Sequence, residues 1–132
     1  MIDKEIIKIA SNTENHGVLD NHTHFSKLKN AICGDEMKVY LIVKNNKVLN
    51  FKYECESCIY CQASVSLLSR NAKNQSIYKI KDFAMQAKNS FDKKISFNKD
   101  WKDFSKIMTN NNIARKECLL LPINAAVDAL DN

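Results

Sequence analysis

Residues 36–53 read Glu36-Met37-Lys38-Val39-Tyr40-Leu41-Ile42-Val43-Lys44-Asn45-Asn46-Lys47-Val48-Leu49-Asn50-Phe51-Lys52-Tyr53. Met37, Val39, Leu41 and Val43 alternate with Glu36, Lys38, Tyr40 and Lys44, the period-two pattern of a half-buried strand. Asn45-Asn46 then supplies two residues that tolerate the positive φ of a tight hairpin turn. On the return strand the same alternation predicts that Leu49, Phe51 and Tyr53 share one face. A β-hairpin is therefore the frame from which the flanking segments are read.

Just before the hairpin stands Cys33-Gly34-Asp35, and just after it Cys55-Glu56-Ser57-Cys58-Ile59-Tyr60-Cys61. The fifth cysteine, Cys118, follows Arg115-Lys116-Glu117 far down the chain. Gly34 permits a bend that aims Cys33 and Asp35 inward. Cys58 falls in the loop between strand and helix, and Cys118 at or near the start of the last helix. Thiols near helix N-termini feel the positive end of the macrodipole, which favours thiolate, and Arg115 and Lys116 beside Cys118 act in the same direction. Thiolate is the form that binds metal and attacks sulfur. Cys33, Asp35, Cys58 and Cys118 are thus candidates to meet around a metal or a sulfur-bearing intermediate. Three thiolates and a carboxylate suit a four-coordinate zinc, and the same set suits the iron of a labile cluster. Two alternatives stay open from the residues alone: inert cysteines packed as small apolar groups, and a local cluster on Cys55, Cys58 and Cys61.

Elsewhere the chain reads as α+β. Ile6, Ile7, Ile9 and Ala10 predict a short helix over residues 3–11, stopped by the polar run Asn12–Gly17. A third strand is expected at 22–28. Helical spacing begins after Cys61 with Ala63, Leu67 and Leu68. Ser76 is a candidate N-cap for a helix striped by Ile77, Ile80, Phe83, Ala84 and Ala87. Trp101, Phe104, Ile107 and Met108 predict a further helix. In Leu119–Leu130 the position of Pro122 predicts a helix starting within a few residues of Cys118, since proline suits a first turn. His16, His22 and His24 read as exposed polar residues.

A length of 132 residues predicts one domain, residues 1–132, with an ordinary core. No apolar run approaches a bilayer span, and the N-terminus lacks the pattern of a secretory signal. A reducing, cytoplasmic setting is expected, where clustered cysteines mean metal or reactive thiols rather than disulfides. The net charge of +5 is almost all lysine, with Arg70 and Arg115 the only arginines. That argues against a sequence-reading nucleic-acid surface. The eight lysines and four aspartates of residues 79–106 read as a solvated face.

Taken in order, three separated stretches and the last cysteine resemble the NifU N-terminal-like iron–sulfur assembly proteins, which include IscU and SufU. Ser11–Asp20 looks like the family's Asn-Pro-x-Asn-x-Gly-x-Leu segment, and Asn30–Asp35 like its Asn-Pro-x-Cys-Gly-Asp. Cys58–Ser66 looks like its cysteine followed by Ala-Ser-x-Ser, and Arg115-Lys116-Glu117-Cys118 with Leu121 like its last ligand segment. SufU is the closer branch. About sixty residues separate Cys58 from Cys118, and the Leu-Pro-Pro-Val-Lys and His-Cys motifs of IscU are absent. The resemblance implies a SufE/NifU-like α+β fold, a three-stranded antiparallel sheet packed against several helices. It implies zinc or a transient iron–sulfur cluster on Cys33, Asp35, Cys58 and Cys118. It also implies persulfide transfer to Cys33 from a SufS-type cysteine desulfurase, with Arg115 assisting, and delivery to recipient apo-proteins. Thr13 and Ala31 replace family prolines, Cys55-Glu56-Ser57 replaces a Gly-x-Gly, and Cys61 is an addition. These read as drift, with altered metal chemistry or impaired assembly as the alternatives.

Overall fold

The computed structural model describes residues 3–91 and 96–131. Part of the lysine-rich run, residues 92–95, and the chain ends named in the single-domain expectation lie outside them. The elements are α1 (Lys4–Ala10), β1 (His24–Lys29), β2 (Glu36–Lys44), β3 (Lys47–Glu56), α2 (Ile59–Asn71), α3 (Ile77–Asn89) and α4 (Lys116–Asp131), with 3-10 segments at Lys99–Lys106 and Asn110–Arg115. The three strands form an antiparallel meander in the order β1-β2-β3. This is the expected α+β architecture.

The hairpin turn is the one that the asparagines predict, with Asn45 at φ 55° and Asn46 at φ 62°. Met37, Val39, Leu41, Phe51 and Tyr53 point into the core. Leu49 does not: it is 46% exposed, while Val48 is fully buried. The pairing jumps from Ile42↔Asn50 to Val43↔Val48, so Leu49 is the extra residue of a bulge. One inserted residue reverses which side chain faces inward. β1 starts two residues later than expected and buries Ser26, whose hydroxyl donates to the Ala125 carbonyl of α4 at 2.5 Å. Beyond β3, the Asn15–Gly17 loop pairs with the strand edge, Gly17 N–H donating to Tyr53 O at 2.8 Å.

Helix starts follow local capping. Asp3 accepts from Glu5 N–H and Ser76 from Lys79 N–H, each a side chain meeting a free first-turn donor. Trp101 and Phe104 lie in the 3-10 segment Lys99–Lys106 rather than in an α-helix, and Ile107 is its C-cap. Trp101, Phe104 and Ile107 recur every three residues, the period that aligns side chains on a 3-10 turn, and all three are at most 1% exposed. Trp101 stacks on Phe83 of α3 at 4.3 Å between ring centroids.

α4 begins at Lys116, but Pro122 sits inside it, in the second turn rather than the first. Proline there has no N–H for the Cys118 carbonyl, and its ring crowds that carbonyl. The next carbonyl, Leu119 O, accepts from Ser64 Oγ of α2 at 2.6 Å. Leu119, Ile123, Ala125 and Ala126 bury this helix in the core with α2 and the sheet.

Candidate metal and sulfur site

The turn at residues 30–35 is closed by Gly34 N–H to Asn30 O at 2.7 Å and Asn30 N–H to Asp35 O at 2.8 Å. Gly34 takes φ +78°, a left-handed conformation that side chains disfavour. The bend separates its neighbours: Asp35 turns inward to 8% exposure, whereas Cys33 stays exposed and is not buried as expected. From α4, Cys118 approaches the same point and is 5% exposed. The Cys33 and Cys118 sulfurs lie 3.8 Å apart. Ligand atoms of Cys33, Asp35 and Cys118 all fall within 4.8 Å of one another, and among the described residues no other group of three or more Cys, His, Asp or Glu does so.

Cys58 completes the neighbourhood without joining that close set. It is the N-cap of α2, with no side-chain capping bond of its own, and its N–H donates to Asp35 Oδ1 at 3.2 Å. Asp35 Oδ2 is buried with no hydrogen-bond partner. A buried carboxylate oxygen left without a donor is costly unless a cation satisfies it. An orphaned carboxylate oxygen beside two cysteine sulfurs is a donor set that fits zinc.

The expected lowering of the thiol pKa at the helix start is not what governs Cys118. Burial pushes its thiol up, and the adjacent Cys58 and Cys33 thiols push it further. Desolvation and like neighbours outweigh the macrodipole here. The flanking cations also point elsewhere. The exposed Arg115 guanidinium lies over the Tyr60 ring at 5.2 Å, and Lys116 lies 5.9 Å from the Phe91 ring centroid. Arg115 thereby stands on a residue two positions beyond Cys58, at the edge of the thiol group. Tyr60 gave no signal in the sequence, because its partner is far along the chain.

Cys55, Cys58 and Cys61 do not converge. Cys55 ends β3, while Cys61 turns from the first turn of α2 into the apolar core at 0% exposure. Burial pushes both thiols up. The serines following them tie the site together: Ser64 holds α4 as described, and Ser66 Oγ donates to Asn12 O at 2.8 Å, fastening the N-terminal loop to α2.

Comparison with known proteins agrees with this architecture. The family model described as "NifU-like N terminal domain" matches residues 1–100, which contain Cys33, Asp35 and Cys58 but not Cys118. An iron–sulfur cluster assembly scaffold protein IscU of Thermotoga maritima is 37% identical over 68 residues, covering 52% of this chain and 48% of that protein. The chain thus spans about half the length of that relative. The crystal structure of the N-terminal part of a nitrogen-fixing NifU-like protein from Brucella abortus superposes with TM-score 0.85 at 25% identity, over 98% of this chain and 91% of that one. A structure described as a SUF-system scaffold protein, from Fervidobacterium islandicum, has the same fold with TM-score 0.84 at 22% identity, over 98% and 96% of the two chains. Among the described residues no helix is long and apolar enough to cross a membrane. On its fold, its ordered motifs and the matched family model, the chain belongs to the NifU-like N-terminal domain family.

Proposed function

We propose that this protein takes part in iron–sulfur cluster assembly, with Cys33 as acceptor of sulfur from a cysteine desulfurase of the SufS type. Cys33, Asp35, Cys58 and Cys118 are its ligands for zinc or for a cluster under construction. The observation that carries this reading is the gathering of Cys33, Asp35 and Cys118 within 4.8 Å around a buried carboxylate oxygen that has no partner. A zinc ion bound there would neutralise that oxygen and hold its cysteine ligands as thiolates.

The division of labour follows from exposure. Cys33 is the thiol a large partner can reach, since a desulfurase must bring its own cysteine-bound sulfur to within bonding distance. The attacking Cys33 thiolate forms a bond to the outer sulfur of the desulfurase persulfide, and the desulfurase cysteine leaves as thiolate. Arg115, exposed and braced on Tyr60, offers a cation at the rim for an acidic partner surface. Asp35 organises the interior by holding the Cys58 backbone. Assembled cluster then passes to recipient apo-proteins.

The test is stimulation of a SufS-type desulfurase by the parent chain and by Cys33→Ser. The expected result is stimulation by the parent and none by the variant, with unchanged far-UV circular dichroism. Full stimulation by Cys33→Ser overturns the acceptor role.

A further inference from the structure

We infer that Cys118 is a resolving thiol: it attacks a persulfide on Cys33, releases the outer sulfur as sulfide inside the site, and leaves a Cys33–Cys118 disulfide. The inference rests on the reading of Cys33 as sulfur acceptor and goes beyond ligand binding. Its basis is the asymmetry of the pair. The two sulfurs are 3.8 Å apart, yet Cys33 is exposed and Cys118 is 5% exposed. An incoming sulfur donor can reach the first and not the second. The second can reach the first.

The step balances without an external oxidant. The Cys118 sulfur bonds to the Cys33 Sγ and the bond from that Sγ to the outer sulfur breaks. The outer sulfur takes the bonding electron pair and leaves as hydrosulfide. The proton given up by Cys118 goes to the leaving sulfide, so persulfide plus thiol gives disulfide plus hydrogen sulfide. The outer sulfur is reduced and the Cys118 sulfur oxidised, while the Cys33 Sγ exchanges one sulfur–sulfur bond for another. A dithiol reductant must then reset the pair. The sulfurs have to close from 3.8 Å to the about 2.05 Å of a disulfide. Cys33 is the one that moves, because it is exposed on a turn whereas Cys118 is buried on α4. Cys58 is the rival, since its thiol is adjacent to Cys118, but its sulfur is outside the close set that Cys33, Asp35 and Cys118 form. The same two residues cannot be ligands and a disulfide at once, so sulfide release and metal holding alternate at this corner.

The experiment uses the full chain, chelator-treated and anaerobic, loaded with inorganic polysulfide. Hydrosulfide is measured after removal of excess donor, and cysteine pairing is mapped by peptide mass under non-reducing conditions. The expected result is sulfide release from the parent in proportion to protein, with a Cys33–Cys118 disulfide. In Cys118→Ser, and in Cys118→Ala as a second variant, release falls to the protein-free level and the persulfide stays on Cys33. A parent chain that keeps its Cys33 persulfide as long as the variants do overturns the inference and leaves the acceptor reading standing. A Cys33–Cys58 disulfide overturns the assignment to Cys118. Absence of sulfur on Cys33 in every chain overturns the inference and the acceptor reading together.

Discussion

Cys118 and Cys61 are both buried cysteines on the first turn of a helix, yet their surroundings differ in kind. Around Cys118 stand another thiol at 3.8 Å and a carboxylate oxygen with no donor. Around Cys61 stands the apolar core that also holds Met37, Tyr53 and Val65. Burial raises the pKa of both thiols, but only Cys118 has its sulfur in the close set with Cys33 and Asp35. The lesson is that local spacing does not define a site. Cys61 is three residues from Cys58 and is packing; Cys118 is sixty positions away and meets Asp35 in space.

Removing a proposed ligand gives the largest expected effect on this contrast. Asp35→Ala should lower zinc affinity by more than about 100-fold, since loss of a merely supporting group already costs about 10–100-fold. Competition with a chromophoric chelator measures it, and Cys61→Ala should leave the affinity as in the parent. Equal losses in the two variants would erase the distinction.

The converse substitution probes the core side. Cys61→Ser buries a hydroxyl at a site that is 0% exposed and should cost about 1–3 kcal/mol in urea unfolding. A fully stable Cys61→Ser variant would mean that Cys61 is not sealed in.

A smaller effect is expected at the link between helices. Ser64→Ala removes the donor to Leu119 O, one residue after Cys118, at about 1 kcal/mol in stability. Alkylation of Cys118 in the folded chain should then speed up, because its turn is held less firmly.

The smallest effect is remote from both cysteines. Tyr40 donates to Glu54 at 2.7 Å, and that bond to a carboxylate raises its pKa from 10.0 to about 12. Unfolded Tyr40 loses its proton through pH 10 and folded Tyr40 keeps it to about 12, so the contribution is whole below pH 10 and fades across that window. Tyr40→Phe should flatten the alkaline limb of a stability–pH curve while leaving zinc affinity alone.

Much of the scaffold could be read from pattern. The hairpin carried its own period and turn residues, and α3 its N-cap and stripe. Leu49 was misread because a bulge depends on strand pairing, which leaves no mark in a single strand. Trp101, Phe104 and Ile107 mark a helix in the sequence but not its 3-10 type, because periods of 3.0 and 3.6 differ little over two turns. At the candidate site, the residue types were visible, and motif order joined segments that no local rule connects. Cys33 exposure and Cys118 acidity were not visible, since both depend on how α4 packs behind the turn at Gly34. Pro122 correctly puts the start of α4 within a few residues of Cys118, at Lys116, although the proline itself lies one turn further in.

The measurement that bears most directly on the central claim is metal content of anaerobically purified protein, for the parent, Cys118→Ser and Cys61→Ser. The expected result is zinc, or iron with acid-labile sulfide, stoichiometric with the parent chain, lost in Cys118→Ser and kept in Cys61→Ser. Metal kept without Cys118 and lost without Cys61 would contradict it.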